Sequence, residues 1–435
     1  MDARTTALAT LIACRKQGAW ADGALKEQLH RSQLSRRDAA LATRLVYGVI
    51  QNKMRLDFQL QSLVKSDLKK LQPVVLDILR LGLYQITDMD KIPASAAVNE
   101  AVEQGKKYAG RAAAGLINGV LRNAARQKEQ LPQPKTLAVR YSHPEPLVTL
   151  LREAVGEELL EPLLESHNEL APVVIQRNPL AISEADFLAA LREAEAEASP
   201  HPWQKDAWIL THAGSLSKLP LFARGGFYVQ DPAARLSVTA AGLAPGMRVL
   251  DVCAAPGGKS FAAAMDMEDT GSIVSCDIHP HKIELLAKGA ARLGLHSITP
   301  CLQDGSAFRP DFEKAMDAVL CDVPCSGLGV IRKKPDIREK PLDGLARLPE
   351  VQGRILENAS RYVRPGGVLL YSTCTILPRE NQGVVDAFLA CHGDFHQEPF
   401  PVPAALGAGN DGAMTLLPPL HGTDGFFICK LRRDT

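Results

Sequence analysis

Arg248-Val249-Leu250-Asp251-Val252, continued by Cys253-Ala254-Ala255-Pro256-Gly257-Gly258-Lys259-Ser260, is the stretch on which the fold turns. Its first five residues carry enough branched apolar side chains to read as a buried strand. The small residues that follow let the backbone approach a ligand closely, and the helix opening after them offers free amides. Downstream the pattern repeats. Short apolar runs, GSIVSCDI (271–278), SITPCLQD (297–304), DAVLCDVP (317–324), GGVLLYSTC (366–374) and GFFICKL (425–431), are separated by helical segments. Buried strands alternating with helices predict an α/β domain over 226–435, Rossmann-like, with a mostly parallel sheet. In such a sheet the ligand lies beyond the carboxyl ends of the strands, where the strand order reverses.

Upstream the pattern changes. Residues 1–140 read as an all-α domain, with apolar positions at helical spacing: Leu41, Leu45, Val46 and Val49, then Val74, Val75, Ile78, Leu79 and Leu83. The proline-rich segment LPQPKTLAVRYSHPEPL (131–147) marks a boundary. Residues 141–225 read as a small α+β connector: a helix from Val148 to Leu164, a strand in APVVIQRNPL (171–180), an acidic helix from Ser183 to Ala196, and a strand in AWILTHAG (207–214).

Of the 435 residues 46% are hydrophobic and 23% charged, as in a soluble globular protein. No apolar run reaches the roughly 18 residues of a membrane span. The first residues lack a signal-peptide layout, so a cytoplasmic protein that is not membrane-bound is expected. The nine cysteines are odd in number and include no CxxC pair, which argues against a disulfide framework or a zinc site; no metal is expected. A net charge of +1 hides a segregation: residues 1–140 hold 23 Lys and Arg against 12 Asp and Glu, and the remainder 27 against 37. A basic module joined to a mildly acidic one suggests that the first handles a polyanion.

The loop Cys253 to Lys259 invites comparison with a nucleotide-binding P-loop, since GGKS is followed later by AVLCD. That loop needs glycine six positions before the lysine, where Cys253 stands, and Pro256 removes an amide from the phosphate cradle. ATP or GTP hydrolysis is therefore disfavoured. Asp277 closes the second strand, 18 residues after Lys259, and can accept hydrogen bonds from both hydroxyls of a ribose. Asp304, at the end of the third, suits an adenine amino group. Asp251, Asp277, Asp304 and Asp322 close four successive strands. This pattern alone leaves open whether a methyl donor or a dinucleotide is bound.

The fourth strand ends in Cys321-Asp322-Val323-Pro324-Cys325-Ser326-Gly327 and the fifth in Tyr371-Ser372-Thr373-Cys374-Thr375. If these strands are neighbours, Cys325 and Cys374 face each other beside the donor loop with Asp322 between them. Carbon 5 of a cytosine is a poor nucleophile. Adding a thiolate to carbon 6 converts the ring into an enamine-like species that attacks an activated methyl group. An acid that donates to ring nitrogen 3 stabilises that adduct, and Asp322 is the candidate. Once the methyl is in place, the carbon 5 proton must leave so that the sulfur can depart, a step to which the second thiol contributes. A free thiol, with pKa ~8.5, is only about 3% thiolate at pH 7, and Lys259 can help by its charge and by holding Asp322. The residues by themselves do not order the two cysteines.

DVCAAPGGKS, DVPCSGLGVIRKKPDIR and YSTCTILPREN resemble the motifs of the Sun/Fmu family of RNA 5-methylcytosine methyltransferases. The layout is similar to those bacterial members that act on 16S ribosomal RNA and carry an amino-terminal domain resembling NusB, matched here by SRRDAALATRLVYGVIQNKMRLD and IPASAAVNEAVEQGKKYAGRAAAGLINGVLRNAAR. The resemblance implies S-adenosyl-L-methionine as donor, bound by Cys253, Ala254, Ala255, Pro256, Gly257, Gly258, Lys259, Asp277, Asp304 and Asp322. It implies Cys374 as nucleophile, Cys325 as the residue assisting release, and a cytidine of 16S ribosomal RNA as acceptor, bare or in a partly assembled small subunit. Gln230-Asp231-Pro232 matches a segment that precedes the donor loop in the family, and Arg379 departs from an acidic residue frequent at that place. The basic stretch Ile331-Arg332-Lys333-Lys334-Pro335-Asp336 suits phosphate contacts near the target nucleotide. A monomer is expected. The competing readings, a methyltransferase for proteins or metabolites and a non-catalytic RNA-binding protein, leave the paired strand-end thiols without a purpose.

Overall fold

A computed structural model describes residues 2–211, 215–407 and 409–435, which form two compact units. One comprises Met1–Leu170 together with Ile331–Lys340, the other Ala171–Val330 with Pro341–Thr435.

The first unit is helical: α1 (Ala3–Gln17), α2 (Ala21–Ser32), α3 (Arg36–Gln51), α4 (Lys53–Leu63), α5 (Pro73–Asp88), α6 (Ala94–Tyr108), α7 (Arg111–Arg126), α8 (Leu137–Arg140), α9 (Glu145–Val155) and α10 (Glu157–Ser166). Helix α5 is its axis. Pro73 opens it, where a missing amide costs nothing, and Val75, Ile78, Leu79, Leu81, Leu83 and Ile86 are all buried, so the helix is enclosed on nearly every side. Helix α7 is instead amphipathic, burying Ala114, Ile117, Val120, Leu121 and Ala124 at spacings of three and four. The single helix expected from Val148 to Leu164 is two, because Gly156 takes a positive φ of 78° and ends α9.

Compactness ends this unit at Leu170 rather than near 140, and it takes in the segment 331–340. Arg338 explains much of that. Its side chain is buried and donates to the carbonyls of Gln51 (2.8 Å), Tyr141 (3.1 Å) and His167 (2.8 Å) and to Asn168 Oδ1 (2.7 Å). Ile331 and Ile337 are buried too, and Asp336 accepts from the Ala21 amide. Within the basic stretch Arg332 is buried, Lys333 half-buried and Lys334 exposed. The segment packs into the helical unit and is not simply a solvated loop.

Beside Arg338, His143 and His167 stack, with Nε2 of the first 3.0 Å from Nδ1 of the second and His143 Nδ1 2.8 Å from the Tyr141 carbonyl. One proton on each ring satisfies both contacts. Burial, then the positive charge of Arg338, pushes both well below the usual histidine value. Because the folded values are depressed, the pair's contribution to stability is complete above about pH 6.5 and is lost as pH falls toward the folded values, at about 1.4 kcal/mol per pH unit for each ring. Hydrogen exchange on the full chain should therefore show amides of 141–168 opening more readily at pH 5 than at pH 7 after correction for intrinsic rates. Equal protection at both would refute the prediction.

The second unit begins with β1 (Val173–Arg177), α11 (Glu184–Glu193), β2 (Glu197–Pro200), β3 (Ala207–Thr211), α12 (Pro220–Ala223) and β4 (Phe227–Val229). Its strands pair antiparallel in the order β2-β3-β1-β4, a split βαββαβ arrangement. Ser183 caps α11 by accepting from the Asp186 amide. The last three residues of AWILTHAG lie outside the described residues.

The remainder is the doubly wound domain: α13 (Pro232–Ala241), β5 (Arg248–Asp251), α14 (Gly258–Asp266), β6 (Ser272–Asp277), α15 (Pro280–Leu293), β7 (Ile298–Leu302), β8 (Met316–Asp322), α16 (Leu348–Ser360), β9 (Val363–Thr373), α17 (Gln382–Leu389), β10 (Phe395–Gln397), β11 (Ala413–Leu416) and β12 (Phe426–Arg433). The eight-stranded sheet runs β10-β12-β9-β8-β5-β6-β7, with β11 also on β12. Strands β9, β8, β5, β6 and β7 are parallel, and β12 returns antiparallel along β9. The order reverses between β5 and β8, which opens a crevice at their carboxyl ends. Among the described residues no helix is long and apolar enough to cross a membrane.

Candidate active site

Each element at the switch point delivers a functional side chain. Strand β5 ends at Asp251, which is fully buried. Its Oδ2 accepts from Ser260 Oγ (2.7 Å), itself bonded by Ser275 Oγ (2.7 Å), so the start of α14 is pinned to the sheet. Burial pushes the Asp251 carboxyl up to about 7, against the opposing influence of Ser260 and Lys259. Between strand and helix, Ala254 donates to the Cys276 carbonyl (2.7 Å) and Gly257 to that of Ala254 (2.8 Å). Gly257 has φ 110°, a conformation that favours glycine, and a Cβ there would meet the Phe261 ring. Gly258 runs close to Gln230, so a Cβ would lie 3.3 Å from its Nε2; this places the Gln230-Asp231 segment against the donor loop.

Lys259, in the first turn of α14, reaches across the switch point to Asp322 at the end of β8, Nζ to Oδ2 2.6 Å. The other Asp322 oxygen accepts from Ser372 Oγ on β9 (2.8 Å). Burial opposes the charge on Lys259, yet Asp322, Asp251 and Cys374 together hold its pKa above the ordinary lysine value. The ammonium also lies 5.0 Å from the centroid of the Phe426 ring.

Strands β8 and β9 are direct neighbours, Asp322 opposite Ser372, and this register brings the two predicted thiols together: Cys325 Sγ lies 3.1 Å from Cys374 Sγ. Both are half-buried. The hydrogen bond to Cys374 pushes the Cys325 thiol well above the usual range, and burial and the negative charges of Cys374 and Glu380 add to it. The Cys325 loop is held to the next strand: Gly329 donates to the Cys374 carbonyl (3.0 Å) and Gly425 to that of Gly329 (2.8 Å). A Cβ at Gly329 would lie 1.9 Å from the Gly425 carbonyl oxygen, so only glycine allows this approach. The segment after Cys374 is cross-tied as well. Ser326 Oγ donates to Thr375 Oγ1 (2.7 Å), Thr373 Oγ1 to Asn381 Oδ1 (2.6 Å), and Asn381 Nδ2 to the Thr375 carbonyl (3.0 Å).

Asp277 is buried at the end of β6 and accepts from the His279 amide (2.9 Å), with Lys282 3.7 Å from its other oxygen. Asp304 lies two residues beyond the end of β7, exposed, accepting from the Ser306 amide and hydroxyl (both 2.8 Å), which lower its pKa. The sequence reading missed Ile278 and Leu302, large apolar residues left 56% and 57% exposed beside these two carboxylates. It also missed Ser372, Gln352 and Glu380. Glu380 lies inside the quoted motif YSTCTILPREN, but a charged residue five positions after a threonine gives no sign of being buried.

Helical, ferredoxin-like and doubly wound parts, with a glycine-rich loop and strand-end carboxylates at the switch point, define a Rossmann-like methyltransferase. The family described as 16S rRNA methyltransferase RsmB/F matches residues 239–432, the NusB family 1–126, and the ferredoxin-like domain of RsmF/B-like methyltransferases 143–217. A Bacillus subtilis protein named probable ribosomal RNA small subunit methyltransferase B is 36% identical, over 99% of this chain and 98% of its own length. A Vibrio cholerae protein named ribosomal RNA small subunit methyltransferase B is 35% identical over 93% and 92%. The solved structure of PH0851 superposes with a TM-score of 0.82 at 24% identity, covering 98% of both chains, which shows the same fold. The chain belongs to the RsmB/F family of 16S rRNA methyltransferases.

Proposed function

We propose that this protein methylates carbon 5 of a cytidine in 16S ribosomal RNA, with S-adenosyl-L-methionine as donor and through a covalent bond between Cys374 and carbon 6. The observation that carries the reading is the sulfur pair at 3.1 Å beside the Lys259–Asp322 ion pair.

The residues present fit the donor. The loop from Cys253 to Lys259 forms a cradle in which Gly257 has no side chain. Asp277 suits a ribose, Asp304 an adenine amino group, and the exposed faces of Ile278 and Leu302 suit the two sides of a flat base. Asp322 completes the set. The donor would supply an electrophilic methyl group.

The remaining chemistry belongs to the chain. Lys259 favours a negative sulfur at Cys374, which supports its assignment as the nucleophile. As the Cys374 S–H bond breaks and the S–C6 bond forms, the ring π electrons shift toward nitrogen 3. The thiol proton ends there, where the Asp322 carboxylate holds it. Carbon 5 becomes nucleophilic and takes the methyl group. Loss of the carbon 5 proton to a base restores the C5–C6 double bond, and the C6–S electron pair returns to Cys374. Cys325 donates its thiol hydrogen to that departing sulfur, and the nitrogen 3 proton leaves the product and returns to Cys325 through water, restoring both thiols and neutral 5-methylcytidine. A stacked base does not reach such a crevice, so an unpaired or flipped cytosine is the acceptor. The basic residues of 1–140 supply phosphate contacts for RNA binding.

The test is nucleoside analysis of 16S ribosomal RNA methylated in vitro with labelled donor. 5-Methylcytidine is the expected product. Label in any other nucleoside, or methylation insensitive to ribonuclease treatment of the acceptor, overturns the reading.

A further inference from the structure

We propose that Glu380 and Gln352 are positioning residues for Cys325, a buried clamp that grips the backbone on both sides of that cysteine and keeps its sulfur aimed at Cys374. The proposal rests on the assignment of Cys374 as nucleophile and Cys325 as release residue.

Both side chains are fully buried. Glu380 Oε2 accepts from the Ser326 amide, immediately after Cys325, at 2.9 Å. The same oxygen accepts from Gln352 Nε2 at 2.8 Å, and that nitrogen also donates to the Pro324 carbonyl, immediately before Cys325, at 3.1 Å. The residue is thus fixed through its two neighbouring peptide groups by side chains from α16 and from the turn ahead of α17. Tyr371, on β9, completes the support by donating from its hydroxyl to the Glu380 carbonyl at 2.6 Å.

A carboxylate is an expensive way to hold one amide. Its second oxygen, Oε1, is buried without a hydrogen-bond partner among the described residues, as is Gln352 Oε1. A neutral side chain of the same shape holds the same amide without burying charge. What the carboxylate adds is a fixed negative field next to Cys325, while the Lys259 ammonium acts on Cys374. Two adjacent thiols are thereby made unequal. Cys325 keeps its proton and remains a donor toward the sulfur that must leave, and the negative charge that develops as the Cys374 S–H bond breaks collects on Cys374.

Glu380→Gln keeps the shape and removes the charge, whereas Gln352→Ala opens one arm of the grip. In a Cys374→Ser background, alkylation of Cys325 at pH 8, followed by mass spectrometry of its peptide, should be faster on the order of tenfold with Glu380→Gln, one pH unit of thiol ionisation. In otherwise intact enzyme both variants should accumulate the covalent protein–RNA adduct on denaturing gels and lose kcat while KM for RNA and donor affinity stay within about twofold. A merely structural role predicts instead weaker donor binding, a lowered melting temperature and no adduct, and that outcome overturns the proposal. So does wild-type release and alkylation in both variants while Cys325→Ala traps the adduct. If Cys325→Ala itself traps nothing, the assignment of the cysteines has failed, and the clamp with it.

Discussion

Cys374→Ser should abolish methyl transfer, by roughly 10⁴-fold or more, and abolish the covalent protein–RNA species with it. Cys325→Ala should have the opposite signature: attack on carbon 6 is expected to continue, while release slows and the adduct persists through denaturing electrophoresis. The asymmetry follows from the surroundings of the two sulfurs. Lys259 carries its positive charge near Cys374 and favours a negative sulfur there, and Cys325 stands 3.1 Å away, within reach of the sulfur proposed to leave. Gel analysis of each variant with donor and labelled RNA checks both statements. An adduct formed equally well by Cys374→Ser, or none formed by Cys325→Ala, contradicts them.

The second large effect is expected at the ion pair. Lys259→Met and Asp322→Asn should each lower kcat by about 10²- to 10³-fold, the scale of losing one preorganised charge in a water-poor site. Lys259→Met should also displace the rate–pH profile to higher pH, because Cys374 must then ionise without a neighbouring cation. Each single change leaves one member of this half-buried pair without its counter-charge, so unfolding free energy should drop by about 1–3 kcal/mol. The combined variant Lys259→Met with Asp322→Asn should recover most of that stability and none of the rate. Recovery of activity in the double variant would show that the pair is structural. Rates and melting curves on the same preparations separate the two contributions.

The site was legible to different depths in different places. Cys325, Cys374, Asp322 and Lys259 were marked as candidates because each lies at a strand end or helix start, and thiols and carboxylates are conspicuous there. Strand register then brings β8 and β9 side by side and puts the sulfurs within hydrogen-bonding distance. Ile278 and Leu302 were not legible: an apolar residue after a strand reads as core until its exposure is known. Glu380 and Gln352 were hidden for the converse reason, since polar side chains read as surface. The burial of Arg338 was not legible either, because its five acceptors are supplied by residues 51 and 141–168, far from it in sequence.

What the sequence determined by itself was everything that repeats with a short period or sits at a fixed offset. Helical spacing in 1–140, apolar runs alternating with helices after 226, the small-residue loop before Lys259 and the strand-end carboxylates are all local, set by backbone geometry and burial within a few residues. Tertiary structure decided what depends on residues distant along the chain: the approach of the two sulfurs to 3.1 Å, the grip on Cys325 from α16 and the turn before α17, and the inclusion of 331–340 in the helical unit. Hydrogen bonds and electrostatic fields fall off with distance in space, not along the sequence, so such pairings exist only once the chain has closed on itself.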